Sequence, residues 1–433
     1  MYKIARVVID GFWQKYTAET LFEENVNIII GMNGTGKTTF MNILNAALSV
    51  DPIALYENDF ETMSITLVHE KSTRTIKVTK KNDFPFPSIA YQIARKVYAF
   101  PLLPPSDESR GATFSRRRMI QDEVGKIKAE ITSLVSLASL SVYRFRSSDI
   151  EGIDRQLSRK LGPVDARLEE LMQELTKYQL ELSMQAREIS VSLQKEVLMS
   201  LLYKSESEPN QVGYALDFNA EQEKQNLTSA YKQLGVSGSS ANKRIQDHIT
   251  AVDSSVNTIK EYLRSEKEKE TGKKTNDDVS VDHLDFAPLE ANRRAHKVFT
   301  MSLEAEGKIE KVFSQINVFT DMLKDFIENK IFTFEAGKLI VKHDTNTIAV
   351  PRLSSGEKQL LILFIEALLQ RQKPFVFLAD EPELSLHIEW QRKILPAIKK
   401  LNPNAQVIVA THSPEIAAAY ANSIIDMEDI LHV

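Results

Sequence analysis

The sequence predicts an α/β fold with a mixed sheet, divided into an N-terminal and a C-terminal lobe by a long helical, coiled-coil-like insertion. Three observations lead there. The apolar run Val26–Ile30 opens into a glycine-rich turn and then a helix with Phe40, Ile43, Leu44, Ala47 and Leu48 on one face. Strand–helix alternation returns after about residue 331, where the apolar run Phe375–Ala379 ends in Asp380 and Glu381. Between these blocks, Leu168, Leu171, Leu175, Tyr178 and Leu182 recur at alternating spacings of three and four, the stripe of a helix packed along one face.

Bulk composition narrows the setting. The 433 residues are 42% hydrophobic, enough for one large core or two smaller ones. Basic residues number 54 and acidic ones 59, so a net charge of -5 exerts no general pull on nucleic acid. With no cysteine, the chain has neither disulfides nor a thiolate metal site, as suits a reducing compartment. The N-terminus reads as a first strand rather than a signal peptide, and the apolar stretch Leu360–Leu369 is too short to span a membrane and is broken by Glu366. A soluble, cytoplasmic protein without a membrane partner is expected.

Along the chain, residues 1–150 form the first lobe, with strands expected at Ile4–Ile9, Val26–Ile30, Met63–His69, Thr75–Thr79, Lys96–Phe100 and from Leu137, and a charged helix from near Arg116. The run Pro101–Pro105 reads as a loop. Residues 151–330 form the helical arm, beginning at Pro163 in a first turn and continuing near 220–234, 241–268 and 286–329. The polar stretch Ser265–Asp282 is expected to be a mobile tip. Residues 331–433 form the second lobe, with a hairpin turning at Gly337, an apolar helix from Gln359, a buried strand, the helix His387–Leu401, the strand Gln406–Ala410 and a short helix capped by Ser413.

The chemistry sits at the strand ends. Residues 31–38, Gly-Met-Asn-Gly-Thr-Gly-Lys-Thr, form a phosphate-binding loop in its proper strand–loop–helix setting. Its glycines let successive N–H groups turn toward phosphate oxygens, and the helix N-terminus adds partial positive charge. Asn33, Gly34, Thr35, Gly36, Lys37, Thr38 and Thr39 are therefore expected to hold ATP, with Lys37 on the β- and γ-phosphates and Thr38 on Mg²⁺. Asp380 is the second Mg²⁺ residue, reached through water, and Glu381 is expected to orient and polarise the attacking water.

Two further motifs carry a family resemblance. Leu353–Gln359, Leu-Ser-Ser-Gly-Glu-Lys-Gln, resembles the ABC signature with Ser355 in place of the commoner glycine, and His412 in Ala410–Pro414 resembles the family's switch histidine. The order of phosphate loop, helical insertion, signature, acidic strand and histidine resembles the ABC ATPases typified by Rad50, the SMC proteins and RecF. That resemblance implies that Ser354 and the Gly356 amide bind the nucleotide held by a second copy, so that the chain works as a homodimer or larger oligomer. It also implies that His412 contacts the γ-phosphate and is catalytic with Lys37 and Glu381.

The segment Glu381–His387, Glu-Pro-Glu-Leu-Ser-Leu-His, is similar to the OLD-type and related anti-phage defence ATPases, with His387 where many relatives carry the D-loop aspartate. OLD proteins continue past the histidine into a Toprim nuclease, whereas this sequence ends soon after His412. The resemblance, which extends to the ATPases of the PARIS and Septu systems, implies a switch acting on a separate effector, a Toprim or other nuclease, with a phage protein as trigger. The alternative is a RecF- or SMC-like ATPase of DNA repair or chromosome maintenance. Arg116–Arg118 and Lys267–Lys274 could meet DNA phosphates, but they read as solvated helix faces. Gln92 and Gln121 are unsupported candidates for a Q-loop glutamine, and Phe12, Trp13 and Tyr16 are candidates for a place near the adenine that read by default as aromatic core.

Overall fold

The computed structural model describes residues 1–81, 87–103, 112–141, 162–200, 217–270 and 284–432. Its elements run β1 (Lys3–Phe12), β2 (Tyr16–Leu21), β3 (Val26–Ile30), α1 (Lys37–Ser49), α2 (Pro52–Glu57), β4 (Thr62–His69), β5 (Ser72–Lys81), β6 (Ser88–Ile93), β7 (Lys96–Pro101), α3 (Ala112–Leu134) and β8 (Leu137–Ser141). Then come α4 (Pro163–Ser200), α5 (Ala220–Gln233), α6 (Ser239–Glu270) and α7 (Ala287–Phe326). The C-terminal part holds β9 (Ile331–Glu335), β10 (Lys338–His343), β11 (Asn346–Ile348), α8 (Ser355–Leu369), β12 (Phe375–Asp380), α9 (Ile388–Leu401), β13 (Ala405–Ala410), α10 (Pro414–Ala418), β14 (Ile424–Asp426), α11 (Met427–Ile430) and β15 (Leu431–His432).

Two sheets frame the phosphate loop. The first is antiparallel, in the order β15-β2-β1-β4-β5-β6-β7. Its strands alternate, so Met63, Ile65 and Leu67 of β4 point into the core while Thr62, Ser64 and Thr66 face away. In β1 the buried residues Ile4, Val7 and Ile9 break that period, and a register shift between Ile4 and Arg6 absorbs the extra residue. The second sheet is parallel, in the order β14-β3-β13-β12-β8. Its central strands are buried on both faces, which is why they read as unbroken apolar runs. Helix α1 lies in the core shared by the two sheets, its Phe40, Ile43, Leu44 and Ala47 fully buried, and the buried Tyr91 hydroxyl donates to the Ala47 carbonyl at 2.9 Å. A small third sheet, β11-β10-β9, contains the hairpin expected around Gly337.

The chain divides into two compact units, one of residues 1–179 with 315–433, the other of residues 180–314. The second is helical, with small cores from α5, α6 and α7: Leu227, Ile245 and Ile249 in one, Val252, Val256, Ile259 and Leu289 in the other. Leu168, Leu171, Leu175, Tyr178 and Leu182 of α4 are all buried. The helix expected over 241–268 runs on to Glu270, so the start of the stretch expected as a tip, Ser265–Glu270, belongs to α6; Glu and Lys are good helix formers. The rest of the expected tip lies outside the described residues, as do Pro104, Pro105 and residues 142–145 of the strand expected from Leu137. Among the described residues no helix is long and apolar enough to cross a membrane.

One buried amide ties the sheets together. Gln406 on β13 is fully buried; its Oε1 accepts from the Ile4 N–H at 2.7 Å, and its Nε2 donates to the carbonyls of Ile4 at 2.6 Å and Glu23 at 2.8 Å. Gln406 thus completes the backbone beside the β1 irregularity. Replacing it with leucine takes that partner from the two buried backbone groups of Ile4, each worth about 1–3 kcal/mol, and from the Glu23 carbonyl, which keeps Asn27. Gln406→Leu should lower the urea midpoint by an amount equivalent to about 2–4 kcal/mol with an unchanged slope. An unchanged midpoint would show that water or rearrangement replaces the clamp at no cost.

Candidate active site

Parallel register brings three loops to one edge. Ile29 of β3 pairs with Ala410 of β13, and Ala410 with Asp380 of β12, so residues 31, 411 and 381 all leave at the same end. This is the carboxyl edge at which parallel sheets present their ligand-binding loops.

The phosphate loop packs closely against its neighbours at Gly36. Gly36 has φ 102, and a Cβ there would stand 3.0 Å from the Trp13 ring and 3.1 Å from that of Phe12, so any side chain would meet both strain and a clash. Phe12 is core, as expected, but Trp13 is 40% exposed and its ring lies against this loop. The Lys37 ammonium, almost wholly buried, donates to the carbonyls of Gly31 at 2.7 Å and Met32 at 3.0 Å. Burial lowers its pKa, against the opposing pull of Glu381, Asp380, Asp426 and Glu383. Asn33, Gly34 and Thr38 are exposed, and the Thr35 hydroxyl donates to the Met32 carbonyl at 2.9 Å. Thr39 follows on α1, partly buried.

Opposite stand the carboxylates. Asp380 bonds to the Thr38 hydroxyl, while its Oδ1 is buried with no hydrogen-bond partner. Burial raises its pKa to about 6, more than the Thr38 bond lowers it. Glu381 follows with φ 48, a left-handed conformation costing a residue with a Cβ about 1–2 kcal/mol. Its N–H donates to the Ala410 carbonyl at 2.8 Å, and its Oε1 lies 3.7 Å from His412 Nε2.

Thr38 and Asp380 supply the hard oxygen donors Mg²⁺ prefers, and the orphaned Oδ1 is a buried acceptor suited to a cation or its water. Among the described residues no group of three or more His, Cys, Asp or Glu side chains could hold a metal. The residues present thus fit a cation that takes its remaining ligands from water and nucleotide oxygens.

The signature residues have other neighbours. Ser354 is exposed and caps α8 in a reciprocal capping box with Glu357, whose carboxylate also pairs with Lys330. Gly356 is buried, and a Cβ there would lie 2.5 Å from the Ser385 carbonyl oxygen. Gln359 donates to the Pro382 carbonyl at 3.1 Å, a second link from α8 to the segment after the acidic strand. His387 caps α9, its Nδ1 accepting from the Glu389 N–H. Gln92 sits in β6 opposite Lys77 and Val97, and Gln121 lies on the exposed side of α3.

Three residues near the edge carry no motif signal of their own. They are Trp13, Asp426 at the end of β14, and Glu383, whose carboxylate receives the loop bearing His412. Only the second carboxylate in Glu381-Pro382-Glu383 hinted at the last.

A phosphate loop and an acidic strand flanking one parallel strand, with a signature-like helix start and a histidine loop beside them, define an ABC-like P-loop ATPase interrupted by helices. Residues 2–417 match the family described as the AAA ATPase domain, and the chain belongs to that family. It is 37% identical over 89 residues to the Retron Ec83 probable ATPase of Escherichia coli, covering 18% of this chain and 16% of that one. It is 46% identical over 46 residues to Septu protein PtuA of Bacillus thuringiensis, covering 11% and 12%. The third relative is the Retron Vc95 probable ATPase of Vibrio cholerae serotype O1 biovar El Tor, 24% identical over 165 residues, 33% of this chain and 32% of that one. Each match thus spans less than a third of the relative. Among solved structures, the Smc head domain of Pyrococcus furiosus with an extended coiled coil, bound to the C-terminal domain of ScpA, aligns at 14% identity and TM-score 0.43 over 98% of this chain and 93% of that one.

Because the Asp380 carboxyl has its pKa raised from 3.8 to about 6, the folded nucleotide-free chain binds this proton more tightly than the unfolded one. Its contribution to stability is full below the unfolded value and is lost as pH rises through about 6. Asp380→Asn should therefore stabilise the nucleotide-free protein at neutral pH by about 1–3 kcal/mol, with the gain shrinking toward pH ~4. Thermal unfolding of both proteins across that range checks this; a pH-independent difference would contradict the raised pKa.

Proposed function

We propose that this protein is a Mg²⁺-dependent ATPase whose paired sites form across a homodimer, and that it acts as a nucleotide-driven switch on a separate effector nuclease in anti-phage defence. The observation that carries the ATPase reading is the meeting of Lys37, Thr38, Asp380, Glu381 and His412 at one sheet edge. The retron and Septu names of the relatives support the defence reading over chromosome maintenance.

The phosphates of ATP replace the carbonyls that Lys37 now bonds, and the N–H groups of residues 33–38 take up their oxygens. Thr38 and Asp380 would hold the Mg²⁺, which would supply charge neutralisation at the phosphates. Glu381 orients the attacking water and accepts its proton, while His412 contacts the γ-phosphate from the neighbouring loop. Ser354 and the start of α8 complete the site of a second copy. ATP binding then selects a closed dimer, and the effector, a Toprim or other nuclease, is coupled by binding one state better than the other.

The two halves of the site fail differently when altered. Lys37→Ala should abolish or badly weaken ATP binding, whereas Glu381→Gln should bind ATP and hydrolyse it roughly 10²–10⁴ times more slowly, the range for loss of a general base. The trapped Glu381→Gln protein should also change its retention of a co-expressed effector relative to Lys37→Ala. Wild-type turnover by Glu381→Gln would remove that residue from the chemistry.

Sharing across the dimer has its own test. Ser354→Arg and Lys37→Ala chains should each be inactive alone, yet their mixture should recover part of the activity, because one of the two composite sites then has both halves intact. Mixed dimers shown to form without any recovery would refute shared sites.

A further inference from the structure

We infer that Glu383 is a positioning residue for ATP hydrolysis, which holds His412 in place by bracing the backbone of residues 411–413. The inference rests on the role proposed above for His412.

The loop after β13 needs an external acceptor. The strand ends at Ala410, and the Thr411 N–H still reaches the Ile29 carbonyl at 3.1 Å. Beyond it, the N–H groups of His412 and Ser413 have passed the end of the ladder, and α10 begins only at Pro414, which has no N–H. The Ser413 N–H is partly met within the loop, by the Thr411 hydroxyl at 2.9 Å, and the His412 N–H depends on an acceptor from outside it. Glu383 Oε1 meets this need. It accepts from the His412 N–H at 2.9 Å, the Ser413 N–H at 3.2 Å and the Thr411 hydroxyl. An ionised carboxylate oxygen is the strongest acceptor a side chain can offer such donors.

The brace belongs to a closed circuit. The Ser413 hydroxyl donates to Gln391 Oε1 at 2.7 Å, and Gln391 Nε2 donates to the Leu386 carbonyl at 3.0 Å. The Leu386 N–H returns to the Glu383 carbonyl at 2.9 Å. Glu383 Oε2 is buried without a hydrogen-bond partner, so the other oxygen alone satisfies this side chain. The Ser413 hydroxyl already caps α10 through the Glu415 N–H, so the helix does not require Glu383. What does depend on Glu383 is the His412 N–H, together with the Thr411 hydroxyl that in turn receives the Ser413 N–H.

Its consequence is geometric. Glu381 and Glu383 stand two residues apart on one tight turn, closed by the Leu384 N–H to the Glu381 carbonyl at 3.1 Å. That turn delivers both the water-orienting carboxylate and the anchor of the histidine loop. The approach of His412 to Glu381 at 3.7 Å is thereby set by a single short segment.

A thermodynamic cycle combined with hydrogen exchange tests this. In Glu383→Ala, amide exchange in the peptide spanning residues 405–415 should accelerate by about 10-fold or more. Turnover should fall on the order of 10²-fold, as for a misplaced reacting group, while affinity for a fluorescent ATP analogue stays within about 3-fold. The double variant with His412→Ala should be no slower than His412→Ala alone, since Glu383 acts only through that residue. Glu383→Gln keeps the acceptor oxygen and should retain the protection and most of the rate, so it carries the test if the alanine variant does not fold. Unchanged exchange, or loss of protection in Glu383→Gln, overturns the brace. A further drop of about 10-fold in the double variant, with His412→Ala itself impaired, overturns this inference alone. Wild-type turnover by His412→Ala overturns the reading of His412 and this inference with it.

Discussion

Everything at the sheet edge depends on the parallel pairing of β3, β13 and β12. Strands buried on both faces cannot take their register from an alternation of polar and apolar residues, because both faces are apolar. Two buried amides supply what the pattern lacks. Asn27 on β3 exchanges hydrogen bonds with the backbone of Glu23 and reaches the Val407 carbonyl at 3.5 Å. Gln406 on β13 grips Ile4 and Glu23. A slip of either strand would bury these amides unsatisfied, which costs more than the slip of an apolar residue. With the register pinned, the first residues beyond each strand converge, and the chemistry follows from that convergence.

The edge concentrates both charge and strain. Asp380, Glu381, Glu383 and Asp426 all act on one buried ammonium, that of Lys37, which is partnered by its own loop carbonyls. Glu381 and Ser385 both have positive φ within a few residues of each other. Such features lower the stability of the free protein and persist only because the surrounding strands over-determine them. They suit the proposed ligand: a group that brings phosphate oxygens for Lys37 and a cation for Asp380 would relieve both.

The signature-like helix is bound to the acidic turn more closely than to anything else at the edge. Gly356 packs against the Ser385 carbonyl, and Gln359 bonds to Pro382. The same helix is also held by Lys330 on Glu357, Asp165 on Lys358 at 2.6 Å, and Arg167 on the buried Glu366. Glu366, which interrupts the apolar run of α8, is thus explained by an arginine almost two hundred residues earlier. The start of α4, the end of the insertion and the acidic turn therefore meet on one helix within a single compact unit.

Sequence alone determined whatever rests on local order. The phosphate loop, the acidic strand and the stripe of α4 are written in runs of neighbouring residues, because a strand period, a helix period or a glycine turn needs only adjacent positions to declare itself. Where the helix expected over 241–268 overlapped the polar tip expected from Ser265, the helix prevailed for the same local reason: Glu and Lys favour a helix. Tertiary structure decided the rest. That Trp13 leans on Gly36, that Ser385 leaves no room for a side chain at 356, and that Glu383 receives the amides of 412 and 413 are contacts between segments remote in sequence. No periodicity encodes them, since a carboxylate looks the same in the chain whether it faces water or three hydrogen-bond donors.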